Sequence, residues 1–213
     1  MQKMIRRGTG VLLAGAMLVA TAGLGTAQAG ETDQVKSEAG QAVIDGTATT
    51  RQRELVATDA ELSRVVPVTY QTSPATIERA AVSTSASAAA QAKAACPAGT
   101  KYVVTAQKTI TAKSTLGFTT FKYHHKVKYC ESGTQFLKFI NRSQWFSNED
   151  WVVNTGGLVQ NSGSISNGRG YTKVKRKVVI TNFLGDDWVI YPCIAGNFKP
   201  GDINWSGNPD NQF

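Results

Sequence analysis

The stretch TTFKYHHKVKYC, residues 119–130, alternates bulky side chains with basic ones at a period of two. The bulky set is Phe121, Tyr123, His125, Val127 and Tyr129. The basic set is Lys122, His124, Lys126 and Lys128. Successive side chains of a strand point to opposite faces of a sheet. The stretch therefore predicts a half-buried antiparallel strand, with the bulky set in a core and the basic set in solvent.

Other runs after residue 95 are also rich in Val, Ile, Thr, Tyr and Phe, the composition typical of strands. These runs are residues 102–112, 134–141, 151–154, 171–182 and 187–194. No long amphipathic helix pattern interrupts them, which argues against a parallel α/β sheet. The sequence predicts an all-β fold, a single antiparallel β-sandwich over residues 96–213, with a small β-barrel as the alternative. We expect residues 161–170 to form a loop and residues 196–213 an irregular strap.

The first 29 residues have the pattern of a secretory signal peptide. Lys3, Arg6 and Arg7 precede an apolar stretch at residues 11–24, and Ala27-Gln28-Ala29 fits the cleavage rule for small residues. The apolar stretch is shorter than the ~20 residues that a membrane span needs. We therefore expect a secreted protein of bacterial type, extracellular or associated with the cell wall, with no membrane insertion.

Residues 30–95 differ in composition from the rest of the chain. They carry a net charge of −2, whereas residues 96–213 carry +7, and Tyr70 is their one aromatic residue. Residues 80–95 include nine Ala, a composition typical of linkers. With so few aromatic side chains, the segment is expected to be weakly helical or disordered, and the core is assigned to residues 96–213. The segment is interpreted either as a pro-region removed after export or as a retained arm.

The chain has three cysteines, Cys96, Cys130 and Cys193. An exported chain meets oxidising conditions, so a structural disulfide is expected, and the odd number leaves one thiol over. Two of the cysteines, Cys130 and Cys193, lie at the ends of predicted strands, where neighbouring strands of a sandwich approach each other. The sequence therefore predicts a Cys130–Cys193 disulfide, with Cys96 available for a dimer between two chains.

The sequence offers no persuasive catalytic or metal-binding set. The two histidines, His124 and His125, are adjacent, so on a strand they point to opposite faces. The chain has no Gly-x-Ser-x-Gly motif, and the carboxylate pairs 149–150 and 186–187 are adjacent residues, which diverge and do not face each other across a cleft. We expect a protein that is not an enzyme and uses no metal and no cofactor.

Two surfaces are candidate binding sites. The first is basic and combines the set on residues 119–130 with a second alternating set: Lys122, His124, Lys126, Lys128, Lys173, Lys175 and Lys177. If the two strands share a sheet, these side chains form one cationic patch, and an anionic partner would offset their mutual repulsion. The plainer interpretation is a solvated face with edge lysines that prevent aggregation. The second surface is residues 141–151, where Trp145 and Trp151 either stack on a ligand or belong to the core.

These features favour a secreted binding module that is not a catalyst. The leading hypothesis is that its basic sheet face associates with an anionic polysaccharide or another cell-envelope polymer. The alternative is a secreted inhibitor or antagonistic effector that engages a protein partner through residues 141–151, with residues 30–95 as its pro-region.

Overall fold

The computed structural model describes residues 24–82, 95–147 and 149–209 of the 213-residue chain, with side chains from Thr32 to Asn208 within these ranges. Most of the predicted signal peptide and most of the Ala-rich stretch at residues 80–95 lie outside the described residues. Within the described residues, no helix is both long enough and apolar enough to cross a bilayer.

In the part of the chain that the structure describes, three helices precede ten strands. The helices are α1 (Leu24–Ile44), α2 (Thr50–Thr58) and α3 (Leu62–Val65). The strands are β1 (Pro67–Thr72), β2 (Thr76–Ala81), β3 (Tyr102–Ser114), β4 (Thr119–Glu131), β5 (Phe136–Ser147), β6 (Val153–Ser166), β7 (Arg169–Ile180), β8 (Trp188–Ile190), β9 (Pro192–Lys199) and β10 (Asp202–Pro209).

The strands form two antiparallel sheets, here called sheet A and sheet B. Sheet A has the order β1-β3-β4-β5, and β2 pairs with the half of β3 that β1 leaves uncovered. Sheet B has the order β10-β9-β7-β6, and β8 pairs with the end of β7. The described strands do not close into a barrel. The predicted antiparallel β-sandwich is therefore confirmed.

The alternation in β4 predicts which of its side chains enter the core. Phe121, Tyr123, His125, Val127 and Tyr129 are all at most 2% exposed, and they meet residues of sheet B such as Phe198. The basic side chains between them are partly or fully exposed. One face of β4 thus supplies the core and the other face remains available to a ligand.

The helical segment contributes more to the core than its composition predicts. Ile44, Val56, Leu62 and Val66 are at most 1% exposed and belong to the same cluster as Trp188 of sheet B. Strands β1 and β2, which also come before residue 95 in the sequence, belong to sheet A. The structure therefore differs from the predicted assignment of the whole core to residues 96–213.

Helix α1 is docked on β8 through a close backbone approach. The indole Nε1 of Trp188 donates a hydrogen bond to the carbonyl oxygen of Ser37 at 2.9 Å. A Cβ atom at Gly40 would lie 2.6 Å from Cζ2 of that indole, so glycine is required for this contact. A few aliphatic side chains are enough to hold the helical segment in place, because the sandwich supplies the large aromatic surface against which they pack.

Two predicted irregular regions are regular in the structure. Residues 161–170, expected as a loop, form the end of β6 and the start of β7, joined by Asn167 and Gly168 with φ values of 51° and 68°. Asn-Gly with two positive φ values is the preferred pair for a two-residue hairpin. Residues 196–209 of the expected strap complete β9 and form β10, which pairs with β9, and residues 210–213 lie outside the described residues.

A buried histidine links the two sheets. His125 on β4 has its Nδ1 atom 3.0 Å from the carbonyl oxygen of Ser143. Its Nε2 atom lies 3.1 Å from Oγ1 of Thr172 on β7, and Nη1 of Arg142 donates to the same hydroxyl at 3.4 Å. Burial is the main reason that the pKa of His125 falls from 6.5 to about 4; the hydrogen bond to the Ser143 carbonyl raises the pKa, and the charge of Arg142 lowers it. The imidazole is therefore neutral at pH 7.

This shift predicts that the protein loses stability in mild acid. Because the unfolded chain takes up the proton at higher pH, the contribution of His125 is complete above pH 6.5 and is lost as the pH falls towards 4. A shift of this size corresponds to about 3 kcal/mol in the free energy of unfolding. Urea unfolding at several pH values measures it. His125→Gln should remove this part of the dependence of the unfolding free energy on pH, and His124→Gln should keep it. An equal pH dependence in the wild type and in His125→Gln would contradict the assignment to His125.

Candidate binding faces

The two lysine sets lie on different sheets. Lys122, Lys126 and Lys128 are on the outer side of β4 in sheet A. Lys173, Lys175 and Lys177 are on the outer side of β7 in sheet B. Because the inner sides of the two sheets pack against each other, the two sets point away from each other. The two strands do not share a sheet, so the condition for a single cationic patch is not met, and we call the two separate surfaces face A and face B.

Face A is polar, and the strands on both sides of β4 supply hydroxyl and amide groups. The register places Thr105, Gln107, Thr109 and Thr111 on one side of the β4 column and Asn141, Ser143 and Ser147 on the other. Lys126 and Lys128 are exposed and Lys122 is partly exposed, and none of the three makes an ion pair with a described residue. Exposed Lys138 lies beside Cys130 in the register and adds a further ammonium group. An acidic residue of this face, Glu78, lies at its far edge opposite Thr105.

An aromatic pair lies in the middle of face A. The rings of His124 and Trp145 are stacked, with centroids 4.8 Å apart and planes at 9°. His124 is held on both sides, with Nδ1 2.9 Å from Oγ1 of Thr109 and Nε2 2.6 Å from Oγ of Ser147. Partial burial, and secondarily the charge of Lys122, lower the pKa of His124. At pH 7 the pair is therefore a neutral, oriented aromatic surface among ammonium groups.

The row Thr109–His124–Ser147 is the feature of face A that the sequence did not reveal. A serine hydroxyl bonded to an imidazole also occurs in hydrolytic dyads. Hydrolysis requires in addition preorganised oxyanion donors in a site that excludes water. The row lies on the open side of a sheet, so we interpret it as a device that positions the imidazole against Trp145.

Face B contains a depression of about 830 Å³ along β7. Its lining residues are Tyr171, Lys173, Lys175, Cys193, Ala195, Ser206, Gly207 and Asn208. The depression exists because the long side chain of Lys173 lies beside the short ones of Ala195 and Ser206 in the register. The Nζ atom of Lys175 lies 5.1 Å from the centroid of the Tyr191 ring, a cation–π contact that orients this ammonium group.

A second depression of about 440 Å³ continues face B towards the β6–β7 hairpin. Its lining includes Arg169, Asn167 and Asn197, and Tyr171, which is 43% exposed, lines both depressions. Neither lining includes a carboxylate among the described residues. Sequence reasoning missed Arg169 because the predicted strand began at residue 171, although the period of two continues back to Arg169. Tyr171 lay within the predicted strand but was not singled out, because only the lysines of that strand were taken as candidates.

No protein-family model, curated protein or solved structure matches this chain. Function is therefore inferred from the geometry of the two faces and of the remaining candidate residues.

The two candidate tryptophans are separated in the structure. Trp145 lies on β5 within face A and is 36% exposed. Trp151 lies in the β5–β6 connection, is 70% exposed and stacks on Phe183, with ring centroids 5.4 Å apart. Residues 141–151 are thus not one loop, because their first seven residues complete β5.

The predicted Cys130–Cys193 disulfide is wrong, and Cys96 pairs with Cys130 at a Cα–Cα distance of 5.9 Å. The reason is that Cys130 lies near the end of β4 in sheet A, whereas Cys193 on β9 is aligned with Lys175 and lines the depression on the outer side of sheet B. The amide of Lys101 donates to the carbonyl oxygen of Glu131, which brings the chain before β3 to the end of β4. The possible dimer through Cys96 is not supported, because the Cys96 sulfur is bonded to Cys130. Cys193 is a buried thiol.

The remaining histidine, cysteine and acidic side chains of the described residues do not form a common catalytic or metal site. Among the residues that the structure describes, no group of three His, Cys, Asp or Glu side chains is placed to hold a metal ion. His124 and His125 lie on opposite faces of β4, as predicted. Of the adjacent acids, Asp187 accepts a hydrogen bond from the amide of Asn182 at 3.1 Å and so stabilises the turn after β7.

Proposed function

We propose that the protein is a secreted, non-catalytic module that binds an anionic polysaccharide or another cell-envelope polymer through its basic sheet faces. The observation that carries this proposal is the depression of face B, where two lysines and an exposed tyrosine line a cavity whose described lining residues include no carboxylate. Ammonium groups attract phosphate or carboxylate groups, and the tyrosine ring offers an apolar surface to a sugar ring or carbon backbone.

The shape of face B favours a polymer over a small ligand. Arg169, Tyr171, Lys173 and Lys175 lie at every second position of one strand, on the same side of the sheet. At about 3.3 Å per residue, this row extends for about 20 Å. Both depressions share Tyr171, so a single extended chain can lie along the whole row.

The proposal predicts that Lys173→Gln/Lys175→Gln weakens binding to immobilised polygalacturonate or polyphosphate by about tenfold or more at low salt. Biolayer interferometry at low and high salt measures this, with the near-ultraviolet circular dichroism spectrum as the check of folding. A matched control is Arg51→Gln/Arg53→Gln, which removes the same charge from exposed positions on α2.

The control variant should bind like the wild type. Equal losses in both variants would show that net charge alone governs binding and would contradict a site on face B. Binding to double-stranded DNA as strong as to the two polymers would contradict a preference for envelope polymers.

A protein partner is a second candidate, favoured by the stacked pair of Trp151 and Phe183, which are 70% and 58% exposed. Such a pair fits the alternative of a secreted inhibitor or antagonistic effector. Trp151→Ala/Phe183→Ala should leave polymer binding unchanged if the polymer lies on the basic faces. Loss of polymer binding in this variant would instead place the polymer-binding site at Trp151 and Phe183. The pro-region part of this alternative has less support, because α1 and α2 contribute to the core.

A further inference from the structure

Resting on the proposed function, we propose that the protein bridges two separate strands of anionic polymer, one on face A and one on face B, and so acts as a non-covalent cross-linker. The observation behind this is the placement of the two lysine sets on the outer sides of opposite sheets. Each face has its own ammonium groups and its own exposed aromatic ring, Trp145 on face A and Tyr171 on face B.

The two faces are far enough apart to bind independently. Packed sheets are separated by about 10 Å, and extended lysine side chains on both outer sides bring the two layers of ammonium groups to about 20 Å apart. This exceeds the Debye length of about 8 Å at physiological ionic strength, so a polymer on one face does not neutralise the charges of the other. The core between the faces is packed with apolar side chains, so a polymer bound to one face cannot reach the other face through the protein.

The edges of the sandwich disfavour a single chain that wraps around both faces. At one edge, β6 exposes Leu158 and Val159, which are 47% and 53% exposed and offer no counter-charge. At another edge, β2 places Glu78 beside face A, where it repels an anionic chain. Two strands held on opposite faces avoid both edges.

Each face can be disabled separately. Lys126→Gln/Lys128→Gln changes face A, Lys173→Gln/Lys175→Gln changes face B, and a quadruple variant changes both. Arg51→Gln/Arg53→Gln is again the matched control. The probes are long-chain sodium polyphosphate and polygalacturonate, which separate phosphate from carboxylate recognition. Turbidity and pelleting against the ratio of protein to polymer measure cross-linking, and biolayer interferometry measures binding by the same full-length mature chain.

For the wild type and the matched control we expect turbidity that rises and then falls as protein is added, because excess protein saturates each strand separately. Each single-face variant should still bind to immobilised polymer, but its maximal turbidity should fall by about fivefold or more. The quadruple variant should neither bind nor cross-link.

The outcomes separate the two proposals. If the wild type binds neither probe, the proposed function fails and the bridging proposal fails with it. If a single-face variant cross-links as strongly as the wild type, bridging is overturned while binding stands. Sedimentation velocity of the protein without polymer should show a monomer; a stable dimer would overturn two-faced bridging, because a second copy would supply the second site.

Discussion

A chain that begins at Cys96 is expected not to fold, although it keeps β3 to β10. The deletion removes Ile44, Val56, Leu62 and Val66 from the core and uncovers Trp188. Each buried aliphatic side chain contributes about 1.5–3 kcal/mol, so their sum is comparable with the 5–15 kcal/mol that typically stabilises a whole domain. The deletion also uncovers the edge of β3, which β1 and β2 normally pair.

Near-ultraviolet circular dichroism and urea unfolding test this expectation against a chain that begins at Gly30, which should unfold cooperatively. A cooperative transition and a native-like spectrum for the shorter chain would contradict it. A second variant avoids the deletion by carrying a specific protease site inserted within residues 83–94. After cleavage, the two fragments should remain together on a sizing column at neutral pH and separate only in denaturant. Release of the first fragment with the rest still folded would favour a pro-region.

Removal of the disulfide by Cys96→Ser/Cys130→Ser is expected to lower the free energy of unfolding by about 4 kcal/mol, the loop-closure contribution of a cross-link over a separation of 34 residues. Urea unfolding with and without reductant measures the loss. Reductant should destabilise the wild type to the level of the double variant and should not affect the double variant further.

The matched control is Cys193→Ala, which removes a buried thiol that lies outside the disulfide. It should lose about 1 kcal/mol or less and should stay as sensitive to reductant as the wild type. If Cys193→Ala instead lost its sensitivity to reductant, the sheets would be cross-linked through Cys193 and the Cys96–Cys130 pairing would be refuted.

The part of the fold that could be predicted follows from short-range physics. In β4 the period of two places Phe121 and Tyr123 in the core and Lys126 in solvent, because alternation is a local property of an extended backbone. The same alternation continues through β7 back to Arg169, and the sequence would have revealed this residue if the hairpin at Asn167-Gly168 had been recognised.

The rest depends on which strands become neighbours, and local patterns do not encode this. Lys126 and Lys173 have similar patterns around them, yet they lie on different sheets. The choice of Cys96 over Cys193 as the partner of Cys130 has the same origin. The row Thr109–His124–Ser147 unites three strands whose register is set by pairing over long sequence separations.

The alternation in β4 and β7 also determines which residues of such a protein can change during evolution. Lysines on faces A and B point away from the core, so we expect their replacement to have little cost to stability while changing the charge of the proposed binding faces. The core positions between them tolerate less change, because a change in side-chain volume disturbs the close packing of the sandwich. Every second residue of the two strands can therefore vary without loss of the fold, and a library built on those positions is a practical route to sandwiches with designed outer faces.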